Sequence, residues 1–355
     1  MELNLHLRYY YGLLEELEKS LYRFLIERVL RHEYSFNVFR EEGQMPEPER
    51  RDLPTFRTNE DPYDLFYNMV VVVYEYMLLD FPELYYMEGS ELELDRERGF
   101  AVIKEGSCNY TPEEISEIDK ELEKIIHRFD GITDDYELEL AVNDFITESY
   151  EYDYEHEKEG REFGELFTVV GFLKRGKAVC EAYTDLAQLI LQSHGVPCAH
   201  IVGDAMGDGK AELHAWLAVK IKGTYYHLDV TFNDVKREES YPPYTYFNLT
   251  DDEIRVDHDF KSLYYPGIVC DKRDYNYYYK NGCYFDTLDG VRAHIHSLCE
   301  AGRGSGADKY YYFRADPTIY HEEVNDAMRS SLHDVKDSDA YAYEGGYYSI
   351  NIKHV

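Results

Sequence analysis

The stretch that decides the fold is Gly176-Lys-Ala-Val-Cys180-Glu-Ala-Tyr183, and it is followed by Leu213-His214-Ala-Trp216 and Tyr226-His-Leu-Asp229-Val-Thr231. These segments contain a cysteine, a histidine and an aspartate in that order. The three side chains together can supply a thiol nucleophile, a general base and a carboxylate that orients the base. We therefore interpret this part of the chain as the site of a cysteine nucleophile.

A helix is predicted directly after Gly176, because apolar side chains recur there at intervals of three and four. These side chains are Tyr183, Leu186, Ala187, Ile190 and Leu191, and Gly195 marks the end of the helix. Cys180 falls at or just before the first turn, where unpaired N–H groups and the helix dipole would stabilise a thiolate. The alternative for a lone cysteine is an inert core residue.

Two strands are predicted after this helix, over residues 213–221 and 224–232, with Lys222-Gly223 as a tight turn between them. Alternation places His214 and Trp216 on the face opposite Ala215, Leu217, Val219 and Ile221. A two-residue turn pairs Ile221 with Thr224, so His214 is expected to face Thr231 and Trp216 to face Asp229.

In that register His214 and Asp229 are diagonal neighbours on one face, close enough for a carboxylate to reach an imidazole. Such an aspartate would fix the histidine tautomer and stabilise the imidazolium. Each residue alone has an ordinary alternative, a strand histidine or a turn carboxylate. The helix start, the strand face and the turn register are predicted from separate features of the sequence. Because all three agree with one joint site, they favour that site over the ordinary alternatives.

The assembled motifs resemble the transglutaminase-like superfamily, over about residues 134–260, roughly a third of the chain. Gly195-Val-Pro197, Gly203 and Asp234 extend the similarity, and the flanking segments look like bacterial members of that group. The resemblance implies Cys180 as nucleophile, His214 as general base and acid, and Asp229 as orienting carboxylate. It also implies a papain-like core, in which the cysteine helix packs on an antiparallel sheet that carries the other two residues.

Three positions depart from the pattern of that family, namely Ala182, Leu217 and Phe232. None of these changes removes a reacting atom, but they put the fit of a substrate in doubt. Trp216, the only tryptophan, and Tyr183 are assigned to substrate binding, with core packing as the alternative for Trp216. The Cys180 N–H is the one oxyanion donor that the sequence lets us name.

The fold class expected for the whole chain is α+β, in three parts. Residues 1–133 are predicted to be a mainly helical region, and the clearest helix there begins at the capping box Thr111-Pro-Glu-Glu114. Residues 134–264 form the predicted transglutaminase-like core. Residues 265–355 are predicted to be a small Tyr-rich α+β unit, with strands at 275–279, 310–313 and 347–352 and a helix at 317–332.

The composition restricts the partners. Thirty-seven Lys and Arg against 71 Asp and Glu give a formal charge of −34, which disfavours nucleic acid. No apolar run long enough to span a membrane and no leader are visible, so we expect a cytoplasmic protein that does not bind membranes. The sequence gives no oligomeric state.

Neither a metal nor a cofactor is expected. The six cysteines lack a CxxC pair and are expected to be reduced thiols; they are Cys108, Cys180, Cys198, Cys270, Cys283 and Cys299. Neither His194, Cys198 and His200 nor His294, His296 and Cys299 have a fourth ligand at a recognised spacing. Residues 203–210 superficially resemble a phosphate loop, but the glycine spacing and Ala211 disagree with that motif, so a mobile loop is expected.

The function expected from the sequence is cysteine-dependent acyl transfer on peptide or glutamine amide bonds, with a protein or peptide as substrate. Hydrolysis is favoured over crosslinking, because no feature of the sequence marks an amine-acceptor site. The alternative is a module that keeps the fold for binding or scaffolding without turnover.

Overall fold

The computed structural model describes residues 3–32, 36–39, 62–87, 91–95, 100–104, 110–155, 164–207, 210–235, 241–260, 267–302, 309–333 and 338–352. The predicted strand–helix mixture is confirmed, with antiparallel pairing throughout the three-stranded and five-stranded sheets, whereas one strand pair of the four-stranded sheet is parallel. Cys108 lies outside the described residues. The other five cysteines are all free thiols.

The N-terminal part is helical, as predicted, but it also contains a three-stranded antiparallel sheet of order β1-β3-β2 that the sequence pattern did not reveal. Its elements are α1 (Tyr9–Leu13), α2 (Glu16–Val29), β1 (Phe36–Phe39), α3 (Pro62–Asp80), β2 (Glu91–Asp95), β3 (Phe100–Lys104) and α4 (Pro112–Ile126). The capping box that opens α4 is confirmed. The Glu114 N–H donates to Thr111 Oγ1, and the Glu114 carboxylate accepts from the Thr111 N–H.

The central part is built around a five-stranded antiparallel sheet of order β10-β6-β7-β8-β9. Its elements are α5 (Asp135–Ser149), β4 (Glu151–Tyr152), α6 (Val169–Arg175), β5 (Lys177–Ala178), α7 (Cys180–Ser193), β6 (Cys198–Gly207), β7 (Lys210–Ile221), β8 (Thr224–Leu228), α8 (Val230–Val235), β9 (Phe247–Leu249), α9 (Asp251–Ile254) and β10 (His258–Phe260). Helix α7 packs on β6 and β7. The predicted core, a cysteine-bearing helix on an antiparallel sheet, is therefore confirmed.

The described part of the segment that superficially resembled a phosphate loop is strand. Residues 203–207 are the end of β6, and they pair with the start of β7 from Gly203↔His214 to Gly207↔Lys210. Residues 208 and 209 lie outside the described residues. The expectation of a mobile loop over 203–207 is therefore wrong, because these residues continue the antiparallel ladder between β6 and β7.

The C-terminal part forms a four-stranded sheet of order β11-β12-β14-β13 with two longer helices packed together. Its elements are α10 (Tyr277–Lys280), β11 (Tyr284–Phe285), α11 (Leu288–Gly302), β12 (Lys309–Ala315), α12 (His321–Leu332), β13 (Ser338–Tyr343) and β14 (Tyr347–Ile352). The strand predicted over 275–279 is wrong. Asn276 caps a short helix there by accepting from the N–H groups of Tyr278 and Tyr279, and this local bond overrides the β preference of the tyrosines.

The largest apolar core joins the N-terminal helices to the central sheet. It includes Leu21, Val70, Ile118, Val142, Leu186 and Leu217. A second core lies within the C-terminal part and includes Val291, Phe313, Val324 and Ile350. The predicted domain boundaries after residues 133 and 264 stay predictions.

Buried Arg8 forms bonds that connect the N-terminal segment to helix α7. Its guanidinium lies 2.6 Å from Glu83 Oε1 and 2.5 Å from the Asp80 carbonyl oxygen, and it also donates to Gln192 on α7. The Asp80 carboxylate accepts from the N–H groups of Tyr10 and Tyr11. These bonds connect α1, α3 and α7 through polar groups that are buried or mostly buried.

Among the described residues, no helix combines the length and the apolar character that crossing a membrane requires.

Candidate active site

Cys180 is the first residue of α7, preceded by Val179 as N-cap in an extended conformation. The prediction that this cysteine opens the helix is therefore confirmed. Its thiol is free and half-buried, and it lies close enough to the imidazole of His214 to raise the pKa of that ring. A thiolate at the first helical position is favoured by N–H groups that have no acceptor within the helix.

The turn between β7 and β8 has the predicted length. Lys222 and Gly223 have φ of 48° and 91°, the left-handed values of a two-residue hairpin turn. The ladder runs in the predicted register from Ile221↔Thr224 to Leu217↔Leu228. The expected pairing of His214 with Thr231 and of Trp216 with Asp229 is wrong, because β8 ends at Leu228.

Asp229 instead lies at the junction between β8 and α8. Its N–H donates to the Tyr246 carbonyl over 3.0 Å, and its Oδ1 accepts from the Phe232 N–H over 3.0 Å. From this junction Oδ2 lies 2.8 Å from Nε2 of His214. The predicted contact between histidine and aspartate is therefore made, by a route that strand register alone did not give.

The electrostatics of His214 and Asp229 favour the charged forms of both residues. Burial would lower the pKa of His214, but Asp229 and the neighbouring Cys180 raise it to about 10. Burial would raise the pKa of Asp229, but the imidazoles of His214 and His258 hold it well below its usual value. The site is therefore built to hold an aspartate anion and an imidazolium beside the Cys180 thiol at neutral pH.

A second histidine bonds to Asp229, and the sequence analysis missed it. Nε2 of His258, on β10, lies 3.0 Å from the same Oδ2 that bonds His214. Nδ1 of His258 lies 2.6 Å from Oδ1 of Asp257. The only signal in the sequence was a histidine between two aspartates, and that pattern does not show which strand of the sheet β10 joins.

Trp216 packs under the site. Its side chain is 1% exposed, its ring centroid lies 6.0 Å from that of His214 at 19° between planes, and its Nε1 donates to Nδ1 of His227 over 3.1 Å. Gly203 makes room for it, since a Cβ there would overlap the indole and the Asp259 carbonyl oxygen. These contacts support the core-packing interpretation of Trp216. A contact between Trp216 and a substrate stays a prediction.

Tyr183 is fully buried, and its hydroxyl donates to Oδ2 of Asp234. This bond ties α7 to α8, one turn beyond Cys180. The predicted role of Tyr183 in substrate binding stays a prediction.

The three departures from the family pattern lie in the protein interior or next to His214. Ala182 and Leu217 are buried in the largest core. The ring of Phe232 lies 4.9 Å from that of His214 and 4.8 Å from that of His258. Phe232 therefore supplies an aromatic wall to both imidazoles.

His200, on β6, lies between two carboxylates that belong to residues near the start of α7. Its Nδ1 is 3.4 Å from Oδ1 of Asp185, and its Nε2 is 3.5 Å from Oε1 of Glu181. Burial would lower the pKa of His200, but these carboxylates raise it to about 10. His200 thus groups with two acidic residues beside Cys180 and not with His194 and Cys198.

A comparison with protein families gives a match that contains these residues. Residues 123–230 match the sequence model of the Transglutaminase-like superfamily, and the match includes Cys180, His214 and Asp229. This segment is therefore a transglutaminase-like domain, as the resemblance predicted. No curated protein matches the chain in sequence.

Two solved structures are similar over part of the chain. One is a TGase, at 16% identity and a TM-score of 0.31, covering 41% of this chain and 44% of that one. The other is a "putative cysteine protease" from Cytophaga hutchinsonii, at 16% identity and a TM-score of 0.27, covering 41% of this chain and 62% of that one. In both cases this chain spans less than two thirds of the similar protein.

Proposed function

We propose that this chain is a cysteine-dependent acyl-transfer enzyme that acts on peptide or glutamine amide bonds. The observation that carries the proposal is the 2.8 Å bond between His214 and Asp229, with half-buried Cys180 at the start of α7 near enough to raise the pKa of His214. The match of residues 123–230 to the transglutaminase-like superfamily supports the same class of chemistry.

The first half of the proposed reaction forms a thioester. The Cys180 thiolate attacks the amide carbonyl carbon, and the C–N bond breaks as the imidazolium of His214 gives its proton to the leaving nitrogen. Asp229 keeps Nε2 of His214 protonated, so Nδ1 is the nitrogen that exchanges the proton. The Cys180 N–H is the proposed donor to the developing oxyanion.

The second half releases the acyl group. Water attacks the thioester carbonyl, His214 accepts its proton, and the C–S bond breaks to give a carboxylic acid and the thiolate–imidazolium pair. Hydrolysis is the favoured outcome, because a half-exposed thiol leaves the thioester open to solvent. A protein or peptide is the proposed substrate, and the cytoplasm is the proposed location.

Alkylation of the native protein tests the nucleophile. Iodoacetamide at pH 7, followed by peptide mass spectrometry, is expected to modify Cys180 first. Burial raises the pKa of the thiols of Cys198, Cys270 and Cys283, so these compete poorly. Cys180→Ala should abolish the fast phase of alkylation, and His214→Ala should slow that phase. Cys283→Ala, at another half-buried thiol, should leave the fast phase unchanged. Equal labelling of all the cysteines would refute the proposal.

A second experiment separates the possible outcomes of acyl transfer. A glutamine-containing peptide is incubated with the protein, with and without a fluorescent primary amine, and both ammonia release and amine incorporation are measured. Ammonia release without incorporation supports hydrolysis, and incorporation shows crosslinking. A Cys180 that alkylates fast but acylates with no peptide of a broad library would instead favour the binding module.

A further inference from the structure

A continuous chain of hydrogen bonds leads away from the site through His258. The hydroxyl of Tyr246 donates to Oδ2 of Asp257, whose Oδ1 bonds Nδ1 of His258. Nε2 of His258 then bonds Oδ2 of Asp229, the oxygen that also bonds His214. Both ring nitrogens of His258 therefore face carboxylates.

His258 is enclosed, and its charged surroundings are few. Its side chain is 0% exposed. The titratable groups that face it are Asp229 at the β8–α8 junction, Asp257 ahead of β10, His214 on β7, Tyr246 ahead of β9 and, through its charge, His227 on β8. The rest of its surroundings are the aromatic rings of Trp216 and Phe232. Burial would lower the pKa of His258, but its bonds to the two aspartates raise it.

The bonds to Asp229 show what His258 does there. Oδ1 of Asp229 accepts from the Phe232 N–H, and Oδ2 accepts from both His214 and His258. A carboxylate held by three donors cannot rotate without breaking at least one bond in a place that water does not reach. The donor from His258 therefore fixes the direction from which Oδ2 meets His214.

Packing alone does not account for His258. Its contacts with the rings of Trp216, Phe232 and Tyr246 would be kept by a phenylalanine of similar shape. A phenylalanine would, however, remove one of the three donors to buried Asp229 and one of the donors to partly buried Asp257, which is costly. The ring nitrogens of His258 thus donate hydrogen bonds that a residue of the same shape without them could not supply.

We propose that His258 is a positioning residue that holds the Asp229 carboxylate in line with His214, so that Cys180 is set for reaction. The proposal rests on the proposed acyl-transfer function. It adds a fourth member to the Cys180–His214–Asp229 set, and this member acts without touching the substrate.

Two variants distinguish the hydrogen-bond donor of His258 from its positive charge and from the shape of its ring. His258→Gln keeps an N–H near the position of Nε2 but removes the positive charge. His258→Phe keeps the flat ring and removes both. His296→Gln, at a solvent-exposed histidine of α11, is the matched control. Thermal unfolding of each variant shows which of them are folded.

The first readout is the rate of Cys180 alkylation by iodoacetamide in the full chain at pH 7. We expect His258→Phe to slow it about tenfold, because the buried Asp229 carboxylate loses one of its three donors. His258→Gln should stay within about twofold of the unaltered protein, since the donor is kept. The His296→Gln control should be unchanged.

The second readout is the titration of His214 by NMR in a Cys180→Ala background, which needs no activity. In His258→Gln the loss of a neighbouring cation should move that titration to higher pH. In His258→Phe the misaligned Asp229 should move it to lower pH. Opposite shifts support the proposal. No shift in either variant, or the same shift in both, overturns it.

The two proposals fail in different ways. If Cys180 of the unaltered protein is not alkylated selectively, the acyl-transfer function fails, while the titration still decides the role of His258. If alkylation is selective but both variants at position 258 behave like the control, the positioning role fails and the function stands.

Discussion

Nε2 of His214 lies 2.8 Å from Oδ2 of Asp229, although the strand that precedes Asp229 ends one residue before it. The bond is made from the start of α8, where the chain turns away from the sheet. Asp229 is 0% exposed and accepts three hydrogen bonds, so its carboxylate is both ionised and fixed. The histidine and the aspartate therefore act as one unit.

The first prediction concerns that unit. Asp229→Asn should slow alkylation of Cys180 at pH 7 by about tenfold or more, because the imidazolium loses the anion that stabilises it. The pKa of His214, raised to about 10 in the unaltered protein, should fall. The thiolate–imidazolium pair would then break down at lower pH, which a pH profile of alkylation measures.

The control for this variant is Asp259→Asn, at an exposed aspartate on β10. It should alter neither the alkylation rate nor its pH profile. If Asp229→Asn and Asp259→Asn gave the same profile, the bond between Asp229 and His214 would have no bearing on the thiol.

The second prediction concerns Glu139, a buried carboxyl whose Oε2 accepts from Asn248 over 2.7 Å. Burial raises the pKa of Glu139 to about 8. The folded state therefore holds a proton that the unfolded chain releases above about pH 4.5, so stability falls between about pH 4.5 and 8. Glu139→Gln should remove that fall, with a gain in stability that is small near pH 4.5 and largest above pH 8.

Urea midpoints at pH 5, 7 and 9 measure this gain. Glu137→Gln, at an exposed position on the same helix, is the control and should stay within about 0.5 kcal/mol of the unaltered protein. A gain in Glu139→Gln that does not change with pH would show that Glu139 does not carry the proton.

The third prediction concerns Gly203. An alanine Cβ at this position would overlap the Trp216 ring and the Asp259 carbonyl oxygen, so Gly203→Ala should cost about 2 kcal/mol. Because Trp216 stacks near His214, alkylation of Cys180 should also slow. Gly12→Ala, where a Cβ meets nothing within 4 Å, should be neutral or stabilising. Equal effects of the two variants on the urea midpoint would contradict the proposed overlap.

The fourth prediction concerns Arg8, whose guanidinium is buried with Glu83. Arg8→Met should cost about 3 kcal/mol, because it leaves a mostly buried carboxylate without its partner. Lys124→Met breaks an exposed pair with Glu121 and should change stability by less than about 1 kcal/mol. Denaturant unfolding of both variants measures the difference, and a loss of similar size in both would show that the Arg8 bonds do not hold the chain start to α7.

Local patterns in the sequence predicted much of the site. The spacing of apolar residues after Gly176 located the helix that Cys180 opens, and Lys222-Gly223 gave the hairpin register. Both depend on contacts between residues close in sequence, which periodicity and turn preferences report. The end of β8 was not predictable in the same way. It depends on Tyr246, whose carbonyl accepts from the Asp229 N–H seventeen residues away in the chain.

The sequence by itself determined the identity and order of the three reacting residues, the helix start under Cys180 and the strand that carries His214. Only the tertiary structure decided that Asp229 reaches His214 from a strand–helix junction and that His258 shares its carboxylate. The physical reason is that β10 joins the sheet beside β6, so a histidine far along the chain comes within 3.0 Å of Asp229. Contacts of this kind depend on the order of strands in the sheet, which no local pattern encodes.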